Sequence, residues 1–182
     1  IISDFASAMS SDNITMKAMK DYFNKPSGRK AVSVSPFSSQ FKYSGAAFED
    51  GSYVLGAPEF VLREDYDNYR EQIEQYSSEG YRVLVFGIYD GVIDGKALTG
   101  KVTPLGLVFL SNPIRKEAPE TFKYFENQGV EIKVISGDNP VTVSQVALQA
   151  GIANADNYID ASTLTTDEAI EDAVLRYTVF GR

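Results

Sequence analysis

The chain has 182 residues, 43% of them hydrophobic, which suits one medium or two small folded domains and excludes wholesale disorder. Its 17 basic and 25 acidic residues give a net charge of −8, which argues against a nucleic-acid backbone as partner, since that requires a basic face. With no cysteine and no histidine, disulfides, thiolate nucleophiles, Ser-His-Asp triads, zinc fingers and histidine acid–base chemistry are ruled out.

In chain order, Ser11-Asp12 offers a helix cap, and Ile14, Ala18, Met19, Tyr22 and Phe23 then share one face, predicting an amphipathic helix over 12–24. Lys25-Pro26-Ser27-Gly28 closes it. Strand-like spacing follows through Val32, Val34 and 41–48, with a hairpin turn at Glu49-Asp50-Gly51 and a returning strand at 52–55. A short helical turn is expected from Gly56 to Leu62, and Tyr66, Tyr69, Ile73 and Tyr76 space a second helix that stops at Gly80. Residues 81–89 read as a strand, the turns Asp90-Gly91 and Asp94-Gly95 suggest a β-hairpin, and a further strand is expected at 105–110. The first 111 residues therefore read as α+β with an antiparallel sheet.

After Asn112-Pro113-Ile114-Arg115 the pattern changes. A helix at 117–128 with Phe122 and Phe125 facing inward is followed by strand 131–135, helix 141–150, strand 158–160, helix 166–175 and strand 177–180. Alternating β and α with short links predicts a parallel, Rossmann-like sheet. The fold class is thus α/β overall, with domains at 1–111 and 112–182 and a proline-containing joint between them. No apolar run reaches the length of a membrane span, so direct membrane insertion by these residues is not expected. Beginning at Ile1 without an initiator Met and stopping just after a strand-like segment, the chain reads as a piece of something larger.

The most informative stretch is 130–152. A β-branched strand leads into Ser136-Gly137-Asp138-Asn139, and Pro140 opens a helix that Gly151 ends. Such a turn sets a hydroxyl, free N–H groups and a helix N-terminus at the C-terminal edge of a parallel sheet, which suits a phosphoryl group. Taken alone, a Gly-Asp turn is also what any α/β unit needs between strand and helix. The longer string, Gly-Asp-Asn-Pro and a small-residue helix ending Ala-Gly-Ile, resembles the P-type (E1–E2) cation-transporting ATPases, where Thr-Gly-Asp stands in place of Ser136-Gly137-Asp138.

Other strings resemble that family in the same order. Pro36-Phe37-Ser38-Ser39-Gln40-Phe41-Lys42 is similar to its Phe-Ser-x-x-x-x-Lys segment, in which the aromatic ring stacks on adenine and the lysine approaches the nucleotide. Gly56-Ala57-Pro58-Glu59 matches Lys-Gly-Ala-Pro-Glu except that Leu55 replaces the lysine. Met16 falls where many relatives have an acidic residue near the adenine amino group. Arg82-Val83-Leu84 resembles the strand that gives an arginine to the triphosphate and a leucine to the adenine pocket. Asn112-Pro113-Ile114-Arg115 resembles the Asp-Pro-Pro-Arg hinge, and Phe180-Gly181-Arg182 resembles Phe-Ala-Arg, whose arginine sits at the nucleotide cleft.

The resemblance implies a nucleotide-binding domain over 1–111 and part of a haloacid-dehalogenase-like phosphorylation domain over 112–182. Phe37, Lys42, Gly56, Ala57, Arg82, Leu84, Arg115 and Arg182 would bind ATP, and Ser136, Gly137 and Asp138 would support the phosphoryl site. The family's nucleophile string Asp-Lys-Thr-Gly-Thr and its Gly-Asp-Gly-x-Asn-Asp magnesium string do not occur here. The implied parent hydrolyses ATP through an aspartyl phosphate and moves a cation, Ca²⁺ or Mg²⁺. Mg²⁺ would be held by ligands outside this chain, so no metal-ligating residue is assigned and these residues alone would be inactive. Partners would be the pump's remaining phosphorylation, actuator and transmembrane domains, with this segment at the cytoplasmic face of the membrane. Two alternatives stand beside this: a haloacid-dehalogenase-type phosphatase, for which no early Asp-x-Asp is found, and a non-catalytic interaction or regulatory domain. An incomplete second sheet is expected, and with it looser packing after Arg115 than before it.

Overall fold

A computed structural model describes residues 1–111 and 113–182; Asn112, in the predicted joint, lies outside the described residues. The chain divides into two compact units, the first of Ile1–Arg70 and Val83–Leu110, the second of Glu71–Arg82 and Ser111–Arg182.

The first unit is built on a five-stranded sheet of β1 (Ser33–Ser35), β2 (Tyr43–Phe48), β3 (Gly51–Gly56), β4 (Arg82–Tyr89) and β5 (Val102–Leu110), paired in chain order and antiparallel from β1 through β4. Alternation decides which side chains reach the core: Tyr53 and Leu55 of β3 and Leu84 and Phe86 of β4 lie in one cluster with Ala46 and Phe48 of β2. Helices α1 (Ile2–Ala8) and α2 (Ile14–Tyr22) cover that face with Phe5, Ala6, Met16 and Met19, joined by Met9 from the link between them. Phe5 meets Phe86 edge-on at 5.2 Å, and Tyr53 stacks on Phe86 at 5.9 Å. The short α3 (Pro58–Leu62) packs against β3 and β5 and leads into a 3₁₀ turn at Arg63–Asn68.

Four elements differ from expectation, and the first is the helix expected through Tyr66, Tyr69, Ile73 and Tyr76: Tyr66 lies in the 3₁₀ turn, and the α-helix begins only at Arg70. Helix α1 has no counterpart in the sequence reading; it lacks a side-chain cap, and burial of Phe5 and Ala6 holds it in place. The cap of α2 is Asn13, whose side chain accepts from the Met16 N–H at 2.8 Å, rather than Ser11-Asp12. Its inward face therefore runs through Met16, Met19 and Phe23, while Ile14 and Tyr22 are 75% and 81% exposed. The expected hairpin is present in that β4 and β5 are hydrogen-bonded neighbours, but residues 90–101 between them form a long loop rather than tight turns. Its closing bond runs from the Asp90 N–H to the Lys101 carbonyl at 2.8 Å. Side chains organise it from below. The Tyr43 hydroxyl donates to the Lys96 carbonyl at 2.5 Å, Arg63 donates to the carbonyls of Leu98 and Gly100, and the Tyr89 oxygen accepts from the Thr99 N–H at 3.1 Å. Burial raises the Tyr43 phenol above its ordinary range. At Tyr89 burial also works upward, but the Thr99 and Gly100 bonds and the Arg63 charge outweigh it and the phenol is lowered.

The second unit contains α4 (Arg70–Ser78) from Glu71 onward, α5 (Ala118–Asn127), α6 (Pro140–Gln149) and α7 (Asp167–Arg176) with a three-stranded parallel sheet. Its strands β6 (Val134–Ser136), β7 (Tyr158–Asp160) and β8 (Val179–Gly181) lie in the order β6-β8-β7. Helix α6 packs on all three, and Val143, Ala147, Ile152, Ala155 and Val179 form the core. Phe122 of α5 leans on that core as expected, whereas Phe125 is 42% exposed, because no residue of α5 is fully buried and only one edge of the helix meets the cluster.

The acidic residue Asp4, only 2% exposed, ties α1 to the segment before β1. Its carboxylate accepts from the Ser27 N–H at 2.7 Å, the Ser27 hydroxyl at 2.9 Å and the Gly28 N–H at 3.1 Å. Burial alone would raise its pKa; these bonds outweigh burial and hold it below the ordinary carboxylate range. A depressed folded pKa means that the stabilisation is complete above the unfolded value, near 3.8, and is lost as pH falls through the folded value. Asp4→Asn is therefore expected to lower Tm at pH 7, with the gap to wild type closing as the pH is taken below about 4; a gap constant with pH would contradict the assignment. In hydrogen exchange, amides of the six- to eight-residue strands β2–β4 should outlast those of the three-residue strands β6–β8. Equal protection in both sheets would sink that expectation.

Candidate functional site

In the first unit the predicted residues gather around a cleft and a loop. A cavity of ≈ 240 Å³ is lined by Met9, Ser10, Asp12, Asn13, Met16, Pro36, Phe37 and Ser44. It falls just below the ~300 Å³ at which pockets usually hold a whole small molecule, so its size suits a single flat ring system. Phe37 is 44% exposed at this cavity, a flat apolar partner left available on one side. Met16, which lines the cavity, belongs to the same core cluster as Leu55 and Leu84, each less than a tenth exposed.

Lys42, Gly56 and Ala57 form one backbone arrangement. Lys42 adopts a left-handed φ of 56°, its N–H donates to the Ser38 carbonyl at 2.7 Å, and its own carbonyl accepts from the Ala57 N–H at 2.9 Å. Gly56 pairs with Tyr43 in the β2–β3 ladder, and a Cβ on it would fall 2.4 Å from the Lys42 carbonyl oxygen. The space above Gly56 is thus taken by backbone. Gly-Ala at this point locks the loop that carries Lys42 next to the strand that carries Leu55.

In the second unit the parallel register does the gathering. Ser136 and Asp160, the last residues of β6 and β7, both stand opposite Gly181 of β8, so the segments leaving these strands emerge at one edge. The Asp138 N–H bonds to the Ser136 hydroxyl oxygen at 3.2 Å, closing the turn, and Asn139 caps α6 by accepting from the Val141 N–H at 2.9 Å. Arg82 pairs with Asp138 through Nε at 3.2 Å. The Arg182 N–H donates to the Asp138 carbonyl at 2.9 Å, and its guanidinium donates to Asp160 at 2.6 Å. Gly181 permits this closeness, since a Cβ there would sit 2.3 Å from Pro140 Cα. Arg115 is exposed, and its carbonyl accepts from the Ala118 N–H at 3.0 Å.

The structure therefore brings Phe37 to a cleft with Met16, joins Lys42 to Gly56 and Ala57, and collects Ser136, Gly137, Asp138, Arg82 and Arg182 at one sheet edge. Sequence reasoning does not single out Met9, Ser10, Asp12 and Asn13 as cleft residues, nor Asp160 at the edge. Asn13 carries a usable signal, a cap residue directly before an apolar run. Asp160 carries none, because its pairing depends on strand register. Among the described residues no three acidic side chains converge as a metal-ligand set, and no residue is assigned to Mg²⁺. Also among the described residues, no helix is long and apolar enough to cross a membrane.

No protein-family model matches the chain. Over its whole length it is 37% identical to the calcium-transporting ATPase CtpE of Mycobacterium bovis and 34% identical to the probable cation-transporting ATPase exp7 of Streptococcus pneumoniae, spanning about 23% of the length of each. A shorter match, 32% identity over 108 residues, covers 56% of the chain and 12% of the magnesium-transporting ATPase, P-type 1, of Salmonella typhimurium.

Since the Lys42 carbonyl cannot yield as a side chain would, Gly56→Ala should destabilise the first unit by about 1–3 kcal/mol. A urea midpoint shifted by less than the equivalent of about 0.5 kcal/mol would show that the loop adapts freely.

Proposed function

The chain belongs to the cation-transporting P-type ATPases, and on that footing we propose that it is the ATP-binding part of such a pump. The observation that carries the reading is the cleft beside Phe37: a half-exposed ring over a methionine-floored cavity of base size. Adenine stacks on Phe37 with Met9 and Met16 against its edge, and Leu84 supports the floor from the core cluster. Lys42, held by Gly56 and Ala57, supplies the cation next to this site.

The haloacid-dehalogenase-like reading of the second unit belongs to the same proposal. Ser136, Gly137 and Asp138, at the N-terminus of α6, face the transferred phosphoryl group, with Arg82, Arg115 and Arg182 as charge clamps. The reaction is phosphoryl transfer from ATP to an aspartate outside this chain, followed by hydrolysis, and the cation moved is Ca²⁺ or Mg²⁺. Residues 1–111 would act as the nucleotide-binding domain and 112–182 as part of the phosphorylation domain, at the cytoplasmic face and joined to the pump's other domains. The chain's own contribution is positioning and electrostatics, which is most of what phosphoryl transfer asks of a protein. By itself it would not turn over ATP.

One observation favours a second reading, a degenerate domain that binds no nucleotide and serves only as an interaction or regulatory surface. Leu55, standing where the family string has lysine, is 2% exposed in the core and offers no charge to a phosphate.

A titration of ATP and a non-hydrolysable analogue, followed by chemical shifts, separates the two. Saturable shifts near Phe37, Met16 and Lys42 are expected, with Phe37→Ala weakening the affinity by about tenfold or more, as loss of one base–aromatic stack does. Absence of any shift at millimolar ATP would overturn the first reading in favour of the second.

A further inference from the structure

We infer that Asp160 is a positioning residue for Arg182, fixing its guanidinium at the sheet edge where Ser136 and Asp138 turn. The inference rests on the phosphoryl-facing reading above and adds to it a residue that the reading does not use.

Asp160 is itself held before any arginine reaches it. One carboxylate oxygen accepts from the Ser162 N–H at 3.0 Å and the Ser162 hydroxyl at 2.6 Å, and the Asp160 carbonyl accepts from the Thr163 hydroxyl at 2.7 Å. The 3₁₀ turn at Ala161–Thr163 thus orients the carboxylate, and its other oxygen takes the Arg182 Nη1 at 2.6 Å. Arg182 is fixed at its other end as well, by the N–H that donates to Asp138, and its φ of 72° is a left-handed conformation that a non-glycine residue keeps only when neighbours impose it.

Stability does not explain the arrangement. Side-chain exposures of 33% and 26% put the pair among partly exposed ion pairs, whose net worth is small. What the pair does fix is direction, since a charge-assisted bond to a rigid carboxylate removes rotamers from a long, otherwise mobile side chain. The sign of the effect on an anion distinguishes this role from plain electrostatics. A carboxylate beside an anion site repels the anion, so an Asp160 acting only by charge would make phosphate bind more tightly when neutralised. A positioning Asp160 makes it bind more weakly, because the guanidinium then has to be ordered at the moment of binding.

The test uses the 182-residue chain and inorganic phosphate, read by amide shifts at Ser136–Asn139, with the unfolding midpoint measured alongside. Asp160→Asn, which keeps an acceptor for Ser162, should weaken phosphate binding about tenfold with little change in the midpoint. Arg182→Gln should do the same, and Asp160→Asn should cost nothing further in the Arg182→Gln background. Tighter or unchanged binding in Asp160→Asn, or equal loss in both backgrounds, would overturn the positioning role while leaving the phosphoryl site standing. Wild-type chain that shows no phosphate shifts at all would overturn the phosphoryl-facing reading and this inference with it.

Discussion

The polar edge of the small parallel sheet depends on how near β8 can come to the start of α6. Gly181 has no side chain to hold Pro140 away, and with that distance closed the strand register brings Ser136 and Asp160 level with it on either side. From this follow the placement of Arg182 against the Asp138 carbonyl and the reach of its guanidinium to Asp160. Parallel strands direct the residues after them to a common edge, and at this edge a hydroxyl, two arginines and two carboxylates are brought together from segments far apart in sequence.

A comparable economy operates in the first unit, where backbone contacts rather than charges set the geometry. The Lys42 carbonyl serves as acceptor for Ala57 and fills the space over Gly56, so a lysine-bearing loop is fastened to the end of a core strand. The cleft beside Phe37 is lined by the link between α1 and α2, by Met16, and by Pro36, Phe37 and Ser44, and the charged residue in its lining is the acidic Asp12.

How much of this is legible in sequence varies with the kind of interaction. The β2–β3 hairpin, β4 and the Ser-Gly-Asp turn before α6 are readable because alternation and turn chemistry are local. Helix α1 is not, because Ile2–Ala8 has no cap and is held by Phe5 meeting Phe86 across the sheet. The inward face of α2 differs from the expected one by a rotation: packing on the sheet takes Met16, Met19 and Phe23 inward and leaves Ile14 to solvent. The loop at 90–101 reads as two tight turns, yet its path is decided by Arg63, Tyr43 and Tyr89 from outside it. For the site, motif residues can be named from sequence, but Asp160 cannot, since its significance arises only when β7 is set in register beside β8.

The burial of Leu55 bears on what its position can hold. A lysine at that position would place an ammonium among Met16, Leu84 and Phe86, where it would have to lose its proton or push its neighbours apart. Leu55→Lys is thus obstructed, since Met16, Leu84 and Phe86 already fill the space that a charged side chain would need. A positive charge near this part of the core is therefore more easily carried by a surface side chain than at position 55.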